Sequence, residues 1–137
     1  MRLVRPPTVV GTFYPGLAPT LAAEVGRLLA DASLPAATHT GLPKALIVPH
    51  AGYVYSGATA ASAYAALKPA AQTIQRVVLL GPVHRVAVRG LAAPGVDAFA
   101  TPLGEVPVDT AAIAALAHLP QVVISPQSGV VVVRAMS

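Results

Sequence analysis

At 137 residues the chain has one domain's length, enough for a real core by surface-to-volume scaling. Hydrophobic residues make up 55% and charged residues only 10%, against roughly 25% charged in ordinary soluble domains, so there is too little charge to cover a full surface. Two readings fit: an intact domain coated with alanine, or a half-domain whose surface for a missing half stays bare.

The net charge of +4 raises nucleic acid as a partner. The arginines are scattered, however, with Arg85 and Arg89 the closest interior pair and no aromatic platform between them, so no nucleic-acid footprint is expected. The lack of cysteine excludes a disulfide scaffold and any thiolate metal site within the chain. Met1 to Pro7 has charge without a continuous apolar stretch, which is not a secretory signal. Residues 45–67 are uncharged but carry Pro49, His50, glycines and tyrosines, so no membrane span is expected. The expected location is cytoplasmic.

In chain order, residues 8–16 read as an extended segment closed by a turn, with Phe13 and Tyr14 packing on the domain. The first helix is expected over 19–31: Pro19 suits the first helical position, and Leu21, Val25, Leu28 and Leu29 form one stripe at helical spacing. Gly26 inside it costs about 1 kcal/mol against alanine. Residues 32–43 read as a loop holding His39. Ala45-Leu46-Ile47-Val48, four apolar residues bounded by prolines, predicts a strand buried on both faces of a parallel sheet. After Pro49 come His50, Tyr53 and Tyr55, then a small-residue helix over 57–67 with Ser56 placed to cap it. Tyr53 and Tyr55, two apart on a strand-like loop, would share one side.

The same strand, loop and histidine grammar recurs. Arg76-Val77-Val78-Leu79-Leu80 predicts a second buried strand, followed by Gly81-Pro82-Val83-His84. His50 and His84 are separated by about the 30 or more residues of a βαβ unit, and as parallel neighbours the two strands would deliver both imidazoles to one edge of the sheet, where ligands of open α/β folds collect. Neutral imidazole suits iron, copper or zinc. Two ligands do not complete a site.

Residues 85–92 alternate as a half-buried strand, Pro94-Gly95 marks a turn, residues 96–100 a short strand interrupted by Asp97, and Thr101 to Gly104 another turn. Asp109 is placed as N-cap of a helix over 110–117 with Ile113 and Leu116 buried; its sharper rival is a carboxylate metal ligand. His118 at the helix C-terminus suits the dipole. Residues 121–124 predict a buried strand. The uncharged run 130–133 is an aggregation hazard if exposed.

Pro49-His50-Ala51-Gly52-Tyr53 with Tyr55-Ser56-Gly57, and Leu80-Gly81-Pro82-Val83-His84, resemble the two histidine motifs of the Memo family, called AmmeMemoRadiSam system protein B in prokaryotes. Gly11-Thr12-Phe13-Tyr14-Pro15 and the stretch from Thr101 to Asp109 agree with it in order. The resemblance runs from about Arg5 to Gln127, the N-terminal half of a family member. It implies an α/β fold, a mostly parallel sheet flanked by helices like that of the class III extradiol dioxygenases, incomplete at the C-terminus. It further implies a metal pocket using His50 and His84 and lined by Tyr14, Tyr53, Tyr55 and Ser56, iron or copper redox chemistry, and a functional link to a radical SAM protein.

The family continues with a Glu-His-Ser motif and a later cysteine that this chain lacks. The expectation is therefore a Memo-like half over 1–127 and a tail over 128–137 that does not match, in a prematurely ended chain. The alternatives are a non-catalytic module that binds a peptide or small anion at the Ser56-Gly57 helix start, and a non-functional fragment. Neither the reaction nor the small-molecule or peptide partner is named by the residues.

Overall fold

The computed structural model describes residues 1–33, 41–84, 87–125 and 130–134; His39, Arg85, Pro126 and, of the tail, residues 128, 129 and 135–137 lie outside them. The element order is β1 (Val4–Arg5), α1 (Ala18–Ala30), α2 (Tyr53–Ala65), β2 (Arg76–Leu80), β3 (Leu91–Ala93), β4 (Ala98–Thr101), β5 (Gly104–Pro107), α3 (Thr110–Leu116), β6 (Val122–Ile124) and β7 (Val130–Arg134). The chain is α/β. It divides into two compact units, one of residues 8–73 and one of residues 1–7 with 74–137.

The 8–73 unit is helical. Helix α1 starts with a proline in its first turn and buries Leu21, while Val25, Leu28 and Leu29 are half-buried beside it, the stripe expected from the spacing. On its exposed side Arg27 pairs with Glu24 at 2.9 Å and Asp31 at 3.2 Å, contacts that solvent screens and that add little to stability. Helix α2 is capped by Gly52, not Ser56, and begins at Tyr53. Ser56 lies inside the first turn, where its hydroxyl donates to the Ala51 carbonyl at 2.9 Å. The expected start at 57 is thus corrected. Tyr53, Val54 and Tyr55 are poor helix formers by propensity, and a backbone bond from Tyr53 N–H to the Phe13 carbonyl at 2.8 Å fixes the earlier start. After α2 a short 3-10 turn, Lys68–Ala70, places Lys68 Nζ on the Leu29 carbonyl at 3.2 Å.

The strand expected at 45–48 does not form, and Ile47 is fully exposed. An apolar run becomes a strand only through a ladder partner, and among the described residues of the 8–73 unit there is no other strand.

The second unit holds the strands. β1, β4 and β5 form one sheet, β2 pairs with β7, and β3 pairs with β6. The β1–β4 and β3–β6 ladders are parallel, the β4–β5 and β2–β7 ladders antiparallel. Strand β2 forms where expected, but its ladder is antiparallel and every residue of it is exposed. The stretch 87–90, expected within a strand, is irregular, and β3 starts at Leu91. Gly90 there has φ +88, and a Cβ on it would meet the Gln121 carbonyl oxygen at 2.2 Å, so only glycine admits the 2.7 Å bond from Leu91 N–H to that oxygen.

The core of this unit gathers Ala93, Val108, Ile113 and Val132, with Val96 and Phe99 packed on them. Asp109 is its polar hub. One carboxylate oxygen accepts from Ala112 N–H at 3.0 Å as the N-cap of α3, and the other accepts from Arg76 Nε at 2.7 Å. Residues 130–134, expected as an unmatched tail, pair along all of β2, and Val132 and Val133 are buried. Among the described residues no helix is long and apolar enough to cross a membrane.

Candidate functional site

A cavity of about 400 Å³ lies within the 8–73 unit, lined by His50, Tyr14, Tyr53, Ser56 and Tyr64 together with aliphatic side chains of α1 and α2. Its walls follow from local sequence. Gly11, at φ +77, turns the chain so that Val9 accepts from the N–H groups of Thr12 and Phe13 at 3.2 and 2.9 Å, and Gly11 N–H donates to the Tyr14 carbonyl at 2.9 Å. That turn presents Phe13 and Tyr14 to the start of α2.

Gly52 is the point of closest approach, since a Cβ there would stand 3.4 Å from the Phe13 carbonyl oxygen. The Tyr14 and Tyr53 rings then meet at 5.9 Å between centroids and 42° between planes, a tilted aromatic pair of a favourable kind. Deeper in the wall Gly57 lets α2 approach α1, for its Cβ position is 3.0 Å from a Leu28 methyl.

Partial burial raises the Tyr53 phenol above its ordinary value of 10.0, with the nearby Tyr14 and Tyr64 phenols pushing the same way. Tyr53 therefore holds its proton throughout the neutral range and presents a hydrogen-bond donor. His50 enters the wall from the loop before α2, and the Ser56–Ala51 bond anchors that loop one residue away.

The structure brings His50, Tyr14, Tyr53 and Ser56 of the expected set to this one cavity. Tyr55 is not among its lining residues and is 85% exposed: in a helix, residues two apart point to different sides, unlike on the strand-like loop expected. His84 is exposed in the loop after β2, in the other unit. Asp109 is taken up by its cap and by Arg76. Among the described residues no three of His, Cys, Asp and Glu gather as a metal site would require.

Tyr64 is a lining residue that sequence reading did not single out. With α2 starting at Tyr53, positions 53, 57, 60 and 64 fall at i, i+4, i+7 and i+11 on one face, so the signal existed once the helix start was placed correctly.

The family described as "Memo-like protein" matches residues 5–129. A "MEMO1 family protein" of Aquifex aeolicus is 38% identical over 106 residues, 77% of this chain and 37% of that protein. "Protein MEMO1" of Xenopus tropicalis is 36% identical over 107 residues, 78% of this chain and 34% of that one. A "MEMO1 family protein" of Archaeoglobus fulgidus is 39% identical over 126 residues, covering 90% of this chain and 42% of its own length. The chain thus spans little more than a third of the curated relatives it matches.

Proposed function

Because the chain belongs to the Memo family, we propose that it carries that family's ligand pocket, and that its function is to bind a small molecule in the cavity beside His50. The observation that carries this reading is the convergence of one imidazole and three phenols on a single cavity of about 400 Å³, a size within the usual range of ligand pockets. The extradiol-dioxygenase likeness of the fold and a cytoplasmic location belong to the same proposal.

The metal donors that the family resemblance implies, His50 and His84, belong to different units, and each is proposed as a donor in its own right. Two imidazoles are fewer ligands than iron or copper needs, no third donor gathers with others among the described residues, and cysteine is absent. These residues do not fit a resident metal by themselves. The redox role, and with it a link to a radical SAM protein, is proposed only for an assembly in which further donors are supplied.

Three backbone donors at the helix start already have protein partners, which favours the small-molecule reading over the anion-binding alternative. The N–H of Tyr53 already donates to Phe13, and those of Tyr55 and Ser56 donate to Gly52.

Titration of the purified chain with Cu(II) and with Fe(II) under argon, repeated on His50→Ala and His84→Ala, tests the metal share. Weak binding lost in either variant supports that residue as a donor; binding indifferent to both substitutions removes the metal share. Pocket occupancy is tested independently of metal, by methyl chemical shifts on addition of small ring compounds.

A further inference from the structure

Resting on that pocket reading, we infer that the ligand is a neutral, predominantly apolar ring compound bearing one hydrogen-bond acceptor, held between α1 and α2 with its acceptor toward Tyr53. Three observations converge on this class. The lining contains no Asp, Glu, Lys or Arg and a single imidazole, His50, so a cationic ligand would leave water without a counter-charge and a multiply charged anion with one at most.

Of the backbone donors that make helix starts attractive to anions, those of Tyr53, Tyr55 and Ser56 already bond the Phe13 and Gly52 carbonyls, and the Ser56 hydroxyl donates to Ala51. The remaining walls are rings and aliphatic side chains, among them Phe13, Val25, Leu28 and Leu29, which reward the burial of apolar area.

The polar partner follows from the phenols. Tyr53 is half-buried in this wall, and burial keeps it protonated, so it donates and calls for an acceptor such as a carbonyl or ether oxygen. The volume of about 400 Å³ lies at the lower end of the pocket range, which suits one or two rings and not an extended peptide.

The test uses two naphthalene probes on the full chain: 2-acetylnaphthalene, neutral with one acceptor, and 1-naphthyl phosphate, anionic. Binding is read from methyl shifts of the Leu and Val side chains, which separate the cavity from the exposed strand β2. The expected result is that 2-acetylnaphthalene shifts Val25, Leu28 and Leu29, that 1-naphthyl phosphate binds at least about tenfold more weakly, equal to 1.4 kcal/mol, and that Ala60→Phe, which fills the lining, abolishes the effect.

Leu80→Lys on β2 should leave these shifts unchanged. Equal or tighter binding of the phosphate overturns the ligand class while leaving the pocket intact. Shifts confined to Val77, Val78, Leu79 and Leu80, or no shift with either probe, overturn the pocket and the inference together. The wild-type shifts decide the matter if Ala60→Phe fails to fold.

Discussion

The Phe13 carbonyl accepts the backbone N–H of Tyr53 at 2.8 Å, so a turn near the start of the chain closes the first turn of α2. A Cβ on Gly52 would lie 3.4 Å from that oxygen and 3.5 Å from the Phe13 Cα, at ordinary contact distance. Gly52 is also the N-cap of α2, a position where alanine is disfavoured, so Gly52→Ala should cost about 1 kcal/mol through the cap with the Phe13 contact kept. Urea denaturation measures the loss, and unchanged stability would show that the bond from Phe13 fixes the helix start without help from the cap residue.

Gly57→Ala sets two effects against each other. Replacing glycine inside a helix gains about 1 kcal/mol, while the new methyl must displace a Leu28 methyl 3.0 Å away. Leu28 lines the cavity and can turn into it at a rotamer cost of about 0.5–1.5 kcal/mol. Stability should therefore change by less than about 0.5 kcal/mol, and affinity for 2-acetylnaphthalene should fall as the cavity shrinks. A loss beyond about 1.5 kcal/mol would mean that Leu28 cannot move.

The raised Tyr53 phenol makes a pH prediction with a definite sign. An acid whose folded pKa lies above its unfolded value favours the protonated folded state, so its stabilisation is complete below the ordinary value of 10.0 and is lost as pH rises through the folded pKa. Absorbance titration should show the Tyr53 phenolate forming above its ordinary value of 10.0, and Tyr53→Phe should remove that step and flatten stability above pH 10.

Asp109 is 1% exposed and uses both carboxylate oxygens on protein donors. Asp109→Ala should cost about 2 kcal/mol, combining a lost cap of typically ~1 kcal/mol with a lost charge-assisted bond. Asp109→Asn keeps an acceptor for Ala112 N–H and should cost less. Thermal and urea unfolding of the two variants give the comparison; equal losses would place the whole effect in the charge.

Strand β2 leaves Val78 58% and Leu80 72% exposed, in an uncharged run of the kind that self-associates. Leu80→Lys should raise the monomeric fraction in size-exclusion chromatography, with a stability change within about 0.5 kcal/mol, as for an exposed site.

The elements legible in the sequence are those whose cause is local. Helix α1 announces itself by Pro19 and a four-residue stripe, and α3 by Asp109 with a short apolar helix behind it. The pocket residues His50, Tyr14 and Tyr53 stood out because their chemistry is rare in so aliphatic a chain. What stayed hidden depends on remote partners. Ala45-Leu46-Ile47-Val48 and Arg76-Val77-Val78-Leu79-Leu80 carry the same apolar signal, yet only the second meets a strand, at Val130–Arg134. The start of α2 was misplaced because its cap is supplied from Phe13, not from its own Ser56. β5 went unseen because Gly104 and Pro107 read as loop residues until they pair with Thr101 and Ala98.

The interleaving of the two units sets an order of events during synthesis. Residues 8–73 find their contacts among themselves, so α1 and α2 can close on each other while the rest of the chain is still being made. β1 has left the ribosome before them, yet it must wait for β4, and β2 must wait for β7. Until residue 130 emerges, the Val77 to Leu80 edge stands open to other nascent chains and to chaperones. A truncated chain ending at residue 125, which lacks β7, should accordingly show protected amides in α2 and none in β2.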